Sequence, residues 1–238
     1  MRKLIKRRLI ILCILLLSIS IASISQTIEY RGQLDYLAIK FYQGEEPSLI
    51  IQELDNIEEM IMQEEEYNRY LNLSEMELFR GEMEEIMSAQ KAEDYFDRAY
   101  KYAMKAIDIK ESELSNRLAF ESLTQLFNYR SFFFIIRNSS RASSLLEKLE
   151  DIENKELMTT YIIGDYYISA PEIGGGDKEQ GIIILESILE KEHPVYNFLV
   201  YNRLYSVYIE KEKTEKAESY LNKAKDIYPD SPWNAKIF

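Results

Sequence analysis

Apolar residues recur three and four positions apart along most of the chain after position 33, which predicts helices rather than strands. The clearest example is near the C-terminal end, where a polar break at 210–214 separates two apolar stripes. The stripe residues are Tyr201, Leu204, Tyr205, Tyr208, Ala217, Leu221 and Ala224. Pro229 is expected to end the second of these helices, because proline cannot continue a helix.

Earlier segments repeat this arrangement less regularly. One pair of helices is predicted around the turn QGEEPS, a second pair comprises a long helix from about Glu64 to Met87 and another helix through 95–106, and a third pair runs from Leu126 to Leu149. In the third pair, Asn138 and Ser139 are predicted to cap a helix start. The run SFFFIIR at 131–137 has strand propensity but no partner strand, so it is interpreted as the buried end of a helix. We therefore predict five helical pairs and a short tail from Ser231, in which Trp233 covers the apolar end of the last pair.

The last pair resembles the tetratricopeptide repeat. Tyr201 and Leu204 stand at the Trp and Leu places of that motif, Tyr208 at the Tyr place, and Ala217, Ala224 and Pro229 at the later small-residue and stop places. The preceding unit matches at Ile163, Gly164, Tyr167, Gly181, Leu185 and Ile188. The resemblance implies one domain over 26–238, an all-α right-handed helical-repeat solenoid of about five antiparallel helix pairs.

The N-terminal end predicts export. Residues 2–8 carry five basic side chains, and Leu9 to Ser25 is uncharged and mostly apolar. A basic stretch, an apolar stretch and small residues are typical of a signal peptide, so 1–25 is interpreted as one. An uncleaved anchor remains the alternative. Either way, we expect a protein that is periplasmic or held at the membrane facing the periplasm or the outside. Cys13, the only cysteine, lies inside this segment.

The net charge of the chain indicates which classes of partner it is expected to bind. The chain has 29 basic and 41 acidic residues, a net charge of −12, so no basic patch for nucleic acid is expected. An acidic surface also repels anionic lipid heads, so membrane contact is expected only through the N-terminal segment, if that is retained. Partners are expected to be proteins, peptides, small ligands or cations.

Residues 170–180 read APEIGGGDKEQ, and the three glycines raise the question of a phosphate-binding loop. Neither phosphate-loop spacing of glycines is present, and the preceding residues have helical rather than strand period. Pro171 stops one helix, and Asp177 with Gln180 predicts a capped start to the next. We therefore interpret the stretch as a turn.

No residue set predicts catalysis, so we expect no enzyme activity and no cofactor. His193, the single histidine, has no evident zinc or nucleophile partner and is expected to face solvent. The acid runs at 45–46, 64–66 and 84–85 are interpreted as solvated helix faces, although paired carboxylates are also found in glycosidase and calcium sites.

In tetratricopeptide proteins the first helix of each pair faces a concave groove. Carried over, this resemblance implies partner-binding places at Tyr161, Asp165, Asn202 and Ser206. The predicted function is a non-enzymatic interaction module that binds a protein or peptide of the cell envelope in this groove. The stretch PEIGGGD followed by a helical stripe also resembles periplasmic T-component proteins of TRAP-type transporters. That resemblance implies the alternative function: an accessory subunit of a solute transport system that holds a small apolar ligand.

Overall fold

The computed structural model describes residues 32–87, 89–189, 191 and 193–234, and this part of the chain is all-helical. The first helix, α1, covers 32–43. The others are α2 (Pro47–Ile61), α3 (Glu66–Met87), α4 (Ala89–Ile109), α5 (Glu113–Phe127), α6 (Phe132–Glu150), α7 (Leu157–Ser169), α8 (Lys178–Leu189), α9 (Pro194–Glu210) and α10 (Thr214–Ile227). The all-α prediction is confirmed, and the predicted long helix from Glu64 to Met87 corresponds to α3.

The odd-numbered helices from α3 to α9 form an inner layer. Contacts run from α3 to α5, from α5 to α7 and from α7 to α9, and each even-numbered helix from α2 to α10 packs on a sequence neighbour. Because α3, α5 and α9 are contacted from several sides, they bury polar as well as apolar residues, whereas α2, α6 and α10 each bury one apolar stripe. The inner layer therefore carries side chains that a one-sided amphipathic pattern does not reveal.

The two ends of the described chain meet. Trp233 is 5% exposed, its indole packs on Phe41 of α1 with ring centroids 4.6 Å apart, and its Nε1 donates to the Phe41 carbonyl at 2.9 Å. The same apolar cluster joins α1, α2 and α3 to Phe198 of α9 and Ala224 of α10. Trp233 thus covers the first helix as well as the last pair, a long-range contact that an arrangement of nearest-neighbour repeats does not predict.

Two glycines permit α7 and α8 to approach closely. A Cβ added to Gly181 would lie 2.7 Å from the Gly164 carbonyl oxygen, and one added to Gly164 would lie 2.7 Å from Leu185 Cδ2. Contacts this short are excluded for real side chains. This close helix crossing explains why both positions carry a small residue.

The start of α6 differs from the prediction. The segment SFFFIIR is helical, but Phe132 and Phe133 are 70% and 82% exposed, so the predicted burial is wrong. The break between α5 and α6 lies at 128–131, not at Asn138 and Ser139. These two side chains instead donate to the carbonyls of Phe134 and Ile136 at 2.8 and 2.9 Å. Asn and Ser can bond to the preceding turn in this way inside a helix, which explains why they did not mark a helix start.

Over the described ranges, no helix combines the length and the apolar composition needed to span a bilayer. The predicted signal peptide at 1–25 lies outside the described residues.

Candidate functional site

The glycine stretch forms a closed turn. Residues Glu172–Gly174 make one turn of 3₁₀-helix, and Gly175 has φ +90°, a conformation that favours glycine. The amide groups of Gly174 and Gly176 donate to the Pro171 carbonyl at 2.7 and 3.1 Å, and that of Gly175 donates to Glu172 at 3.0 Å. Every glycine N–H of the loop is therefore used within the turn, and none is left to receive a phosphate oxygen.

Asp177 ends this turn and caps α8. Its backbone N–H donates to the Tyr167 carbonyl at 2.9 Å, and its Oδ1 accepts from the amides of Glu179 and Gln180 at 3.1 and 3.0 Å. The predicted helix start is present, although the Asp177 amide bonds to α7 rather than to the Gln180 side chain. The loop is thus explained by its structural role.

A different set of polar residues converges inside the inner layer. We call it the inner cluster; it comprises Tyr42 of α1, Glu82 of α3, Arg117 and Glu121 of α5, Tyr161 of α7 and Tyr196 of α9. Tyr42 interacts electrostatically with Glu82, Glu121, Tyr161 and Tyr196, which places one residue from each odd-numbered helix in a single neighbourhood. The cluster therefore brings together residues separated by as many as 154 positions in the sequence.

The three tyrosines and Glu82 are only partly accessible. Each keeps part of its side chain accessible, yet burial among protein atoms raises the pKa of each above its ordinary value. A side chain that retains accessible surface but is strongly desolvated is surrounded by protein atoms on most sides. We call the partly accessible surface that these four residues share the inner recess.

Ion pairs fix one wall of the recess. Arg117 is 5% exposed, and its guanidinium contacts Glu75 at 3.0 Å and Glu121 at 3.4 Å. Its buried Nε has no hydrogen-bond partner among the described residues. Burial, opposed by Arg117 and reinforced by Glu75 and Asp165, raises the pKa of Glu121 to about 7.

Glu82 is the carboxylate without such support. Within the described ranges its side chain makes no hydrogen bond or ion pair, and burial together with the Glu121 and Glu85 charges raises its pKa well above the ordinary value. Glu75 and Asp165 are paired with the guanidinium groups of Arg117 and Arg203, so Glu82 is the carboxyl group that a positively charged guest could pair with. Such a guest would lower the pKa of Glu82 and favour its ionised form.

The predicted groove residues divide into two groups. Tyr161 belongs to the inner cluster, and Asp165, paired with Arg203, lies within electrostatic range of Tyr161 and Glu121. Asn202 and Ser206 have no exposed surface: Asn202 donates to the Phe198 carbonyl at 3.0 Å, and Ser206 donates to the Asn202 carbonyl at 3.2 Å. Contact of a partner with these two residues therefore requires neighbouring side chains to move.

The interpretation based on sequence missed the charged members of the cluster. The run GEMEE contains Glu82, Glu84 and Glu85, and the 84–85 pair was expected to be solvated; Glu85 is exposed, but Glu84 is only 7% exposed. One signal was available in the sequence. Glu82 follows the buried residues Phe79 and Leu78 by three and four positions, so a charged residue stands at the spacing expected of an apolar one. His193, in contrast, is exposed as expected, beside Tyr196.

Metal sites and ligand cavities are the other candidates for a functional site. The described residues contain no group of three or more His, Cys, Asp or Glu side chains suited to a metal ion. A shallow open depression of about 370 Å³ follows α4 and is lined by Arg98, Tyr100, Lys101, Tyr102, Met104 and Lys105. It is open to solvent and bordered by three cations, unlike the enclosed apolar cavity expected of a carrier for an apolar ligand.

No family model matches the chain, and a search of curated proteins finds no significant relative.

Proposed function

We propose that this chain is an exported, non-enzymatic interaction module that binds a protein or peptide partner in the inner recess. In this proposal the helices are five antiparallel pairs of tetratricopeptide type in a right-handed solenoid, and the odd-numbered helices form its concave side. The observation that carries the proposal is the convergence of polar and aromatic side chains from all five odd-numbered helices. A surface built jointly by the inner helices of every pair is the arrangement by which helical-repeat proteins bind partners.

The chemistry of the recess supports a partner that presents a basic group. Tyrosine rings attract cations to their faces, and a cation that approaches Glu82 would favour its ionised form, so Tyr42, Tyr161 and Glu82 would together favour an ammonium or guanidinium group. A peptide carrying lysine, arginine or a free amino terminus fits this description.

The experiment that tests the proposal is a pull-down from envelope extract, quantified by mass spectrometry. The bait is the chain from Gln26, which keeps every described residue of the three apolar clusters. It is compared with Glu82→Gln/Tyr161→Phe, which removes one carboxylate and one hydroxyl from the recess. The matched control is Glu45→Gln/Tyr36→Phe, the same changes at exposed positions.

We expect a partner that the wild type and the control enrich equally and that the recess variant loses at least several-fold. If no protein is enriched, or if the recess variant retains the same partners, the proposed function is wrong. Recovery of a solute-binding protein or transporter subunit would favour the transport alternative. Small apolar molecules that co-purify with the bait, detected by native mass spectrometry, would favour it further.

A further inference from the structure

The first turns of α6 expose a group of large apolar side chains. Phe132, Phe133 and Ile136 are 70%, 82% and 55% exposed, and we call them the α6 apolar face. Neighbouring large residues with this exposure differ from the single exposed apolar residues that any protein surface carries. This face is independent of the inner recess and plays no part in the function proposed above.

The α6 apolar face is not a by-product of core packing. The opposite side of the same helix supplies the core, through Ala142, Leu145, Leu146 and Leu149. Phe134 turns inward, with its ring 6.3 Å from that of Phe127 in α5. The helix therefore already buries a complete stripe, and Phe132 and Phe133 are additional to it.

Basic side chains accompany the apolar face. From Ser122 to Leu146 the sequence contains three arginines and no acid, although the whole chain has 41 acidic residues in 238. Arg130 pairs with Glu93 and Asp97 of α4. Arg137 and Arg141 follow Phe133 at four-residue intervals and are exposed, which places both cations near the apolar face, and Arg141 also interacts electrostatically with Tyr100 of α4.

The start of α6 adds further positive potential. Ser131 makes no side-chain cap at this helix terminus, and no acidic residue lies in the first turn. The N-terminal end of a helix carries a partial positive charge, which these features leave uncompensated.

We propose that the α6 apolar face, with Arg137 and Arg141, is a docking surface for an anionic lipid bilayer. Aromatic and aliphatic side chains next to arginines are the combination by which surface helices bind the interface of anionic membranes. The net charge of −12 would repel the rest of the molecule from such a surface, so the protein would bind with α6 foremost. Membrane contact is then not confined to the N-terminal segment.

The test is flotation of the chain from Gln26, which lacks the apolar stretch at 9–25, with vesicles of phosphatidylcholine alone or mixed equally with phosphatidylglycerol. We expect binding to the mixed vesicles and little binding to phosphatidylcholine. Phe132→Ser/Phe133→Ser should lower the partition coefficient by about tenfold or more, because two phenylalanines no longer insert. Arg137→Gln/Arg141→Gln should lower binding and weaken its dependence on ionic strength.

The matched control is Ile173→Ser, which removes an apolar side chain that is 99% exposed in a loop without this basic surround. It should bind vesicles as the wild type does, and circular dichroism should show equal helix content in all variants. A wild type that does not float with anionic vesicles, or a Phe132→Ser/Phe133→Ser variant that floats equally well, would overturn the proposal. Self-association abolished by that variant, without lipid binding, would assign the face to a second copy of the chain instead.

Discussion

Helices α5 and α6 are adjacent in sequence and in space, yet they place their side chains in opposite ways. Helix α5 buries Arg117 and Glu121, at 5% and 6% exposure, whereas α6 exposes Phe133 at 82%. The difference follows from their neighbours, because α5 is contacted by α3, α4, α6 and α7, while α6 contacts α5 and α7. Residue type alone therefore does not decide which side chains this fold buries.

The comparison distinguishes buried charged groups from exposed charged groups. On α5, charged groups are removed from water and must find partners inside the protein, which makes them costly to disturb. On α6, the charged pair between Lys148 and Glu111 is about half exposed on both sides, so water can replace either partner. The same chemical change should consequently have very different effects on the two helices.

The largest expected effect is that of Arg117→Ala. This substitution leaves the Glu75 and Glu121 carboxyl groups without their cation in a desolvated site, and removing one member of a buried ion pair costs about 3–5 kcal/mol. We expect the free energy of unfolding, measured by urea denaturation, to fall by an amount in that range.

The matched substitution on α6 is Lys148→Ala. Because its salt bridge to Glu111 is exposed, the expected loss is below about 1 kcal/mol. Equal losses for Arg117→Ala and Lys148→Ala would mean that the guanidinium of Arg117 is hydrated in solution, and the contrast between the two helices would disappear.

Local patterns sufficed for much of the fold. Pro229 follows the end of α10 and the capping residue Asp177 begins α8, as their sequence contexts predict, and the glycines matched by the repeat resemblance lie at the close crossing of α7 and α8. Each of these features depends on residues within a few positions or on a recurrent small-residue contact. Periodicity is most informative where a helix has one buried side, as α2 and α10 do.

The inner cluster could not be predicted in the same way. Tyr42 and Tyr196 meet only because α1 packs against the C-terminal helices and tail, a contact that no local pattern encodes. Burial of Glu82 and Glu121 likewise depends on helices packed on several sides of α3 and α5. The repeat resemblance named Tyr161 by assigning α7 an inward face, whereas the charged partners carry no such assignment.

The next effect in size concerns pH. Burial raises the pKa of Glu121 from its ordinary 4.5 to about 7, so between these values the folded protein holds a proton that the unfolded chain releases. The contribution of this group to stability is present below pH 4.5 and is lost as the pH rises to about 7. We expect the stability of the wild type, relative to Glu121→Gln, to fall by about 3 kcal/mol over this interval.

Glutamine at this position keeps the shape of the neutral carboxyl group but cannot ionise, so the difference between the two proteins reports the ionisation of Glu121 together with its effect on Glu82. The control is Glu147→Gln on the exposed side of α6. Its stability difference from the wild type should stay level over the same interval. A level difference for Glu121→Gln as well would show that the recess is open enough to hydrate the carboxylate.

The smallest expected effect is that of a substitution in the α6 apolar face, and it tests whether this face is exposed in solution. Phe133→Ser should change the free energy of unfolding by less than about 0.5 kcal/mol, because a phenylalanine that is 82% exposed contributes little to packing and serine has a similar helix propensity. Phe120→Ala on α5, where the ring has no exposed surface, should cost about 3–5 kcal/mol.

Both variants should be measured at two protein concentrations. If Phe133→Ser destabilises by more than 1 kcal/mol only at the higher concentration, a second copy covers the α6 apolar face. If it does so at both concentrations, α6 packs against its own chain, and the exposed aromatic surface that distinguishes it from α5 does not exist in solution.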